Sequence, residues 1–364
     1  MEPFETEIYL RYKQIIESQK ACSFTCHPGL VPGSPFLCKT ELSSWRALPD
    51  RIQSDSCAVP RHVYMADLLE RYDAFCFDGY GTLYNRGSFV YPGAMEWFKM
   101  LRRAGKHLRL VTNAASDVDE VLARDADKRG FDFSTEETIS SGCLLRELVE
   151  WLRRGERANV NEATGIENGC SGGSAAKPLE LREVYYIGRE TGKHVLEACG
   201  ITAVEMDADP AEPIVAISSA KDTSETYARA VKILQKPGAI LLVLNSDAWA
   251  PKIPEENGVT VREPVSGALS ERLRRDSMCD ANGGEGCETY YLGKPFPQIW
   301  ERVKVSLPAG SRVLMIGDTL GTDVYGAKIA GFDSALVVGR NVPTEELEAD
   351  EKALGIRPDW YLES

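Results

Sequence analysis

Nowhere in its 364 residues does this chain string together the roughly 18 apolar residues that a membrane span requires, so no membrane partner is expected. Basic charge is scarce too. Against 55 Asp and Glu stand 42 Lys and Arg, a formal net charge of -13, and duplex nucleic acid and anionic membrane surfaces both reward the clustered Lys and Arg that are missing here. The first twenty residues carry Glu2, Glu5, Glu7 and Glu17, so neither a secretory signal nor an ordinary transit peptide is expected. No framework of paired cysteines is visible: the ten are scattered, and Cys76 and Cys199 sit in apolar or helical surroundings. That usage suits a reducing compartment and places the protein in the cytoplasm. No internal repeat is evident. The length suffices for a large core without metals or disulfides, and is comfortable for two domains.

What is present alternates between short apolar runs and amphipathic stretches. Residues 1–65 read as a largely irregular extension with one short helix, Thr6 to Lys20, followed by breakers such as His27-Pro28-Gly29. Cys22, Cys26, His27 and Cys38 fall there, but their spacing matches no standard zinc pair well. From residue 66 the order is β-α-β-α: a strand at Ala74 to Phe77, a helix through Met95, Phe98 and Leu101, a strand at Leu108 to Val111, and a helix to Arg129. This predicts a doubly wound parallel α/β sheet over 66–142, resumed over 289–364. Between them, 143–288 reads as an inserted α/β domain with strands at Val184 to Ile187, Ile214 to Ile217 and Ile240 to Leu244. Two polar stretches, 155–177 and 277–286, interrupt it. Asp222 and Glu225 there stand at capping-box spacing and read as a helix start. The final strand is expected at Ser334 to Val338.

Four polar signals follow predicted strands in order: Asp78 with Gly81-Thr82, Thr112-Asn113, Gly293-Lys294-Pro295, and Gly317-Asp318 with Thr322-Asp323. Carboxyl ends of strands are where open parallel sheets bind ligands. Three acids converging there repel one another unless a cation sits among them, and hard oxygen ligands suit Mg²⁺. With Mg²⁺ and Lys294 cancelling charge, a phosphoryl group can approach Asp78, while Thr112 and backbone N–H groups near it hold its oxygens. Each residue also has a plainer use: Asp323 as a helix N-cap, Thr112 as a turn hydroxyl, Lys294 as a solvated lysine, Asn245 and Asp247 as turn residues rather than groups facing substrate.

Taken together the four signals resemble the motifs of the haloacid dehalogenase superfamily, most of whose members are magnesium-dependent phosphatases. The middle unit, with Gly188, Asn245-Ser246-Asp247 and Gly267-Ala268, resembles the C2 cap of its class IIA branch, which includes 4-nitrophenylphosphatase-like and phosphoglycolate phosphatase-like proteins. The resemblance covers about residues 66 to 355. It implies Asp78 as nucleophile and Thr112 and Lys294 as phosphate binders of a small phosphorylated metabolite; Asn113 is expected beside them, and Asn245 and Asp247 read evenly as turn residues or as cap groups facing the substrate. Asp78, Asp318 and the backbone carbonyl of Tyr80 are implied as metal ligands, with Asp323 assisting, and caps of this kind resemble dimerisation surfaces.

Tyr80 departs from that pattern. Superfamily phosphatases resemble one another in an Asp at this place, which protonates the leaving oxygen; a phenol with pKa near 10 is badly matched to that exchange, and losing such a group costs about 10²- to 10⁴-fold. Some class IIA members resemble this chain in carrying an aromatic residue there. Asp-x-Tyr-Gly-Thr also resembles the metal-independent haloacid dehalogenases, which lack the Asp318 and Asp323 pair and carry a small cap after the first motif. The sequence therefore favours a phosphatase with an atypical first motif. It leaves as alternatives a dehalogenase-like hydrolase and a phospholigand-binding protein with little turnover.

Overall fold

A computed structural model describes residues 1–25, 61–154, 178–219, 224–254, 261–278 and 287–363. Cys26, His27, Cys38, the stretch 155–177, Asp222 and residues 279–286 lie outside the described residues.

In chain order the strands are β1 (Arg61–Val63), β2 (Ala74–Phe77), β3 (His107–Thr112), β4 (Thr138–Ser140), β5 (Glu183–Ile187), β6 (Thr202–Ala203), β7 (Ile214–Ile217), β8 (Ile240–Val243), β9 (Trp249–Pro251), β10 (Arg262–Pro264), β11 (Glu288–Tyr291), β12 (Val313–Gly317), β13 (Asp333–Val337) and β14 (Trp360–Leu362). They form a seven-stranded parallel core sheet of order β1-β14-β13-β12-β2-β3-β4 and a five-stranded parallel cap sheet of order β11-β8-β7-β5-β6. Strands β9 and β10 form a separate small antiparallel pair. A parallel sheet is covered on both faces by its crossover helices, so its central strands are apolar without alternation. All four residues of β2, β7 and β8 are accordingly buried.

Register sets the site. Phe77 of β2 pairs with Ile316 of β12 on one side and Leu110 of β3 on the other, so Asp78, Asp318 and Thr112 emerge together at one edge. The glycine-rich segment after β2 is held there: the Leu83 and Tyr84 N–H groups donate to the Gly79 carbonyl, and the Asp78 N–H donates to that of Ile316.

The N-terminal segment is less irregular than its sequence suggests. Pro3–Thr25 is one 23-residue helix, α1, longer than the expected Thr6 to Lys20, and it buries Ile8, Tyr9, Tyr12 and Ile16. The core sheet begins at β1, ahead of residue 66, and ends not at β13 but at β14, which pairs with β1. Strands of three residues show no readable periodicity, which is why both escaped the pattern. Strand β11 pairs with β8 in the cap sheet, so the chain leaves the cap only after Tyr291, a little beyond the expected residue 288. Among the described residues no helix is long and apolar enough to cross a membrane.

Candidate active site

Lys294 lies at the centre. Its Nζ donates to Asp78 Oδ1 at 2.6 Å and to Asp323 Oδ1 at 2.7 Å, and all three side chains are buried. Burial works against the ammonium, but Asp323, Asp78 and Asp247 outweigh it and hold its pKa above the ordinary value. Burial pushes the Asp78 carboxyl up to about 7; Lys294 pulls it down and Asp323 pushes it up again. Asp78 is the residue the chain presents directly after β2, on a strand whose neighbours on both sides fix its height.

Asp323 is spent on its own loop as well as on Lys294: its Oδ2 accepts from the N–H groups of Asp318 and Thr319 at 3.2 and 3.1 Å. Gly317 permits this, since a Cβ there would lie 2.2 Å from Asp323 Cγ. Asp318 is different. Its Oδ1 accepts from Thr319 Oγ1 at 2.9 Å, but its Oδ2 is buried with no hydrogen-bond partner. Burial, then the charges of Asp78 and Asp323, push its carboxyl well above the usual range. Gly81 leaves that oxygen its space, because a Cβ at residue 81 would stand 1.9 Å from it. A buried orphan carboxylate oxygen beside a second acid is a donor set that a small hard cation such as Mg²⁺ satisfies. Among the described residues no three acid, His or Cys side chains stand at cation-site spacing, and the Lys294 ammonium bridges Asp78 and Asp323 instead.

The other expected residues divide. Thr112 is buried at the end of β3, and its Oγ1 accepts from the Ala114 N–H at 3.2 Å, which leaves the hydroxyl proton for a ligand. Asn113 ties core to cap: its Nδ2 donates to Asp247 Oδ1 at 2.8 Å, Ser246 Oγ at 3.2 Å and the Lys294 carbonyl at 3.0 Å, while its Oδ1 accepts from the Lys294 N–H at 2.6 Å. Gly293, with φ +89, makes that approach feasible, since a Cβ would meet Asn113 Oδ1 at 2.3 Å. Burial pushes Asp247 up to about 6. The Asn245 side-chain Oδ1 accepts from the Asp247 N–H at 2.9 Å, which is a turn use. Tyr80 is half-buried and stands edge-on to Tyr84, ring centroids 5.1 Å apart.

Three residues at the site were not assigned a role from the sequence, although Ser246 lies within the Asn245-Ser246-Asp247 run. Ser246 donates from Oγ to the Lys294 carbonyl at 2.5 Å, and Asn341 donates to Thr319 Oγ1 at 2.7 Å, which in turn donates to Asp318. Ser246 and Asn341 both lie just past the carboxyl ends of parallel strands, β8 and β13, and Thr319 follows Asp318. Position on the sheet was the available signal.

This fold and edge define a capped hydrolase. Residues 75–202 match the haloacid dehalogenase-like hydrolase family and residues 291–364 a HAD-hydrolase-like family. The chain belongs to the haloacid dehalogenase superfamily, as a capped member related to 4-nitrophenylphosphatase-like proteins, and is an enzyme of the hydrolase class. The 4-nitrophenylphosphatase of Schizosaccharomyces pombe is 27% identical over 307 residues, 82% of this chain and 93% of that protein. Chronophin of Mus musculus is 25% identical over 316 residues, 85% of this chain and 96% of that protein. A solved superfamily structure from Cytophaga hutchinsonii shares the fold with a TM-score of 0.64 at 22% identity, covering 84% of this chain and 98% of the other.

Proposed function

We propose that the protein is a Mg²⁺-dependent phosphatase of the class IIA, C2-capped branch, acting on a small phosphorylated metabolite through an aspartyl-phosphate on Asp78. The observation that carries this reading is the pairing of a lysine-bridged acid, Asp78, with the buried, unpartnered Oδ2 of Asp318. Asp78, Asp318 and the Tyr80 carbonyl would hold the cation, with Asp323 assisting around them. When bound, Mg²⁺ supplies positive charge that favours the ionised acids and offsets the charge of the phosphoryl group.

The protein's own groups do the rest. An Asp78 oxygen attacks phosphorus as the ester oxygen departs, and water then cleaves the acyl phosphate to return the carboxylate and release phosphate. The Lys294 ammonium and the Thr112 hydroxyl take the phosphoryl oxygens, together with backbone N–H groups at Asn113. Asp247, and the loop that Asn245 shapes, face the remainder of the substrate from the cap. Burial of the acids keeps bulk water away from the reacting atoms. Tyr80 is the weak member, because it stands where a proton should reach the leaving oxygen. Aryl and acyl phosphates, whose leaving groups need no proton, are the favoured substrates.

The test is phosphate release from 4-nitrophenyl phosphate, acetyl phosphate and several sugar phosphates, with Mg²⁺ or with chelator. Magnesium-dependent release is expected from the first two, and Asp78→Asn should lower it by at least about 10³-fold. Release that survives in chelator, or in the Asn variant, would overturn the assignment.

A further inference from the structure

Helix α1 lies outside both family matches, which begin at residue 75 and residue 291. It nevertheless touches the site from two directions. Tyr12 is fully buried, and its hydroxyl donates to the Ser246 carbonyl at 3.0 Å; the Ser246 hydroxyl in turn donates to the Lys294 carbonyl. The Tyr12 ring stands edge-on to Tyr291 and to Phe296, 5.1 Å from each, and those two rings stack on one another at 5.2 Å, bracketing the segment that carries Lys294. Tyr9 covers the other loop. Its ring lies so close to Gly321, between Asp318 and Asp323, that a Cβ there would meet its Cγ at 2.3 Å.

Ion pairs fasten the same helix to the cap. Glu5 meets Arg262 of β10 at 2.8 Å with both groups largely buried, Arg11 meets Glu271 at 3.4 Å, and Glu7 pairs with Arg275. The apolar face of α1 joins one core cluster with Val243 and Leu269 of the cap and with Leu320 and Val324 of the catalytic loop.

We infer that α1 is a positioning element of the active site: Tyr12 fixes the cap loop and the Lys294 segment, and Tyr9 fixes the loop from Asp318 to Asp323. The hydroxyl matters at residue 12 and the ring at residue 9. A displacement of about 1 Å in a catalytic group can cost about 10²-fold, so two contacts one residue removed from Lys294 and the acids suffice to matter. As a statement about rate, this rests on the phosphatase reading; as a statement about loop order, it does not.

Two measurements on the full chain keep these apart. Tyr12→Phe retains the ring contacts and deletes one hydrogen bond. Its kcat for 4-nitrophenyl phosphate should fall about 3- to 10-fold with KM moving less than about twofold, and amide exchange over 245–248 and 292–296 should quicken at least about threefold while the β2 and β12 amides stay as they were. Tyr9→Ala should lower kcat at least about tenfold and quicken exchange over 318–323, and Tyr9→Phe, which keeps the ring, should restore both. If α1 only packs, the Tyr12→Phe protein will keep wild-type kcat and exchange, and the inference fails. If no variant and no wild-type protein releases phosphate, the phosphatase reading fails and the exchange data alone decide the role of α1.

Discussion

The core sheet and the cap sheet are both parallel and meet with their carboxyl edges together, yet those edges carry opposite chemistry. Core strands β2 and β12 end directly in acids, Asp78 and Asp318. The cap strands end mostly in small or uncharged residues, Gly188 after β5 and Ser218 after β7, with Asp247 standing beyond β8; its last strand, β11, leads within a short turn to Lys294. The core edge thus gathers a surplus of negative charge, and the segment that follows the cap's last strand brings the ammonium that bridges it. Neither sheet is a site by itself. The contrast also explains burial: charges this deep persist only when paired, so the two edges must close on one another.

The sharpest way to break the comparison is to add one carbon to each side. Gly81→Ala in the core places a Cβ 1.9 Å from Asp318 Oδ2 at a φ of +98, and should cost about 2–4 kcal/mol in stability and most of the activity. Gly238→Ala in the cap has a φ of +73 but nothing within 4 Å of the new Cβ, and should cost only about 1 kcal/mol. Urea unfolding of the two variants measures the gap, and equal losses would show that the acids do not constrain the first loop.

A second prediction adds an acid to the core edge. Tyr80→Asp should raise kcat/KM on sugar phosphates by about 10- to 100-fold and change 4-nitrophenyl phosphate turnover by less than about threefold. A flat response on sugar phosphates would mean that residue 80 is not the place of the missing proton donor.

The smallest effect concerns the fastening of α1. Burial pushes Glu5 up to about 7, with Arg262 opposing it. A carboxyl whose folded pKa exceeds its unfolded value contributes stability that is present below about 4.5 and is lost as pH rises through about 7. Glu5→Gln cannot titrate, so relative to wild type it should gain about 1 kcal/mol between pH 5 and pH 6, read as a change in the difference of urea midpoints. A difference independent of pH would show that the ion pair with Arg262 dominates.

The same contrast governs what was legible in the sequence. Asp78, Thr112, Lys294, Asp318 and Asp323 stand in short local patterns at the ends of apolar strands, and the strands could be read because each is buried along its length. Their convergence followed from the topology of a parallel sheet. The contacts of α1 could not be read. Its buried residues Ile8, Tyr9, Tyr12 and Ile16 give the spacing of a helix face but name no partner, and their partners, Ser246 and Gly321, lie hundreds of residues away. Asn113 was legible as a polar residue at a strand end. That its amide is consumed by Asp247, Ser246 and the Lys294 backbone is a fact of packing between domains.

Lys294 is fixed to the chain where the cap returns to the core, between β11 of one sheet and Pro297 at the start of the next core helix. Its main chain is held to the core by Asn113 and to the cap loop by Ser246, so the ammonium sits at the joint between the two. In the proposed reaction a substrate that held the two sheets apart would disturb the joint that places the charge its own phosphoryl group needs. Size exclusion here would be felt as a failure of neutralisation rather than as a steric wall, so the protein would reject large phosphates by leaving them electrostatically unattended.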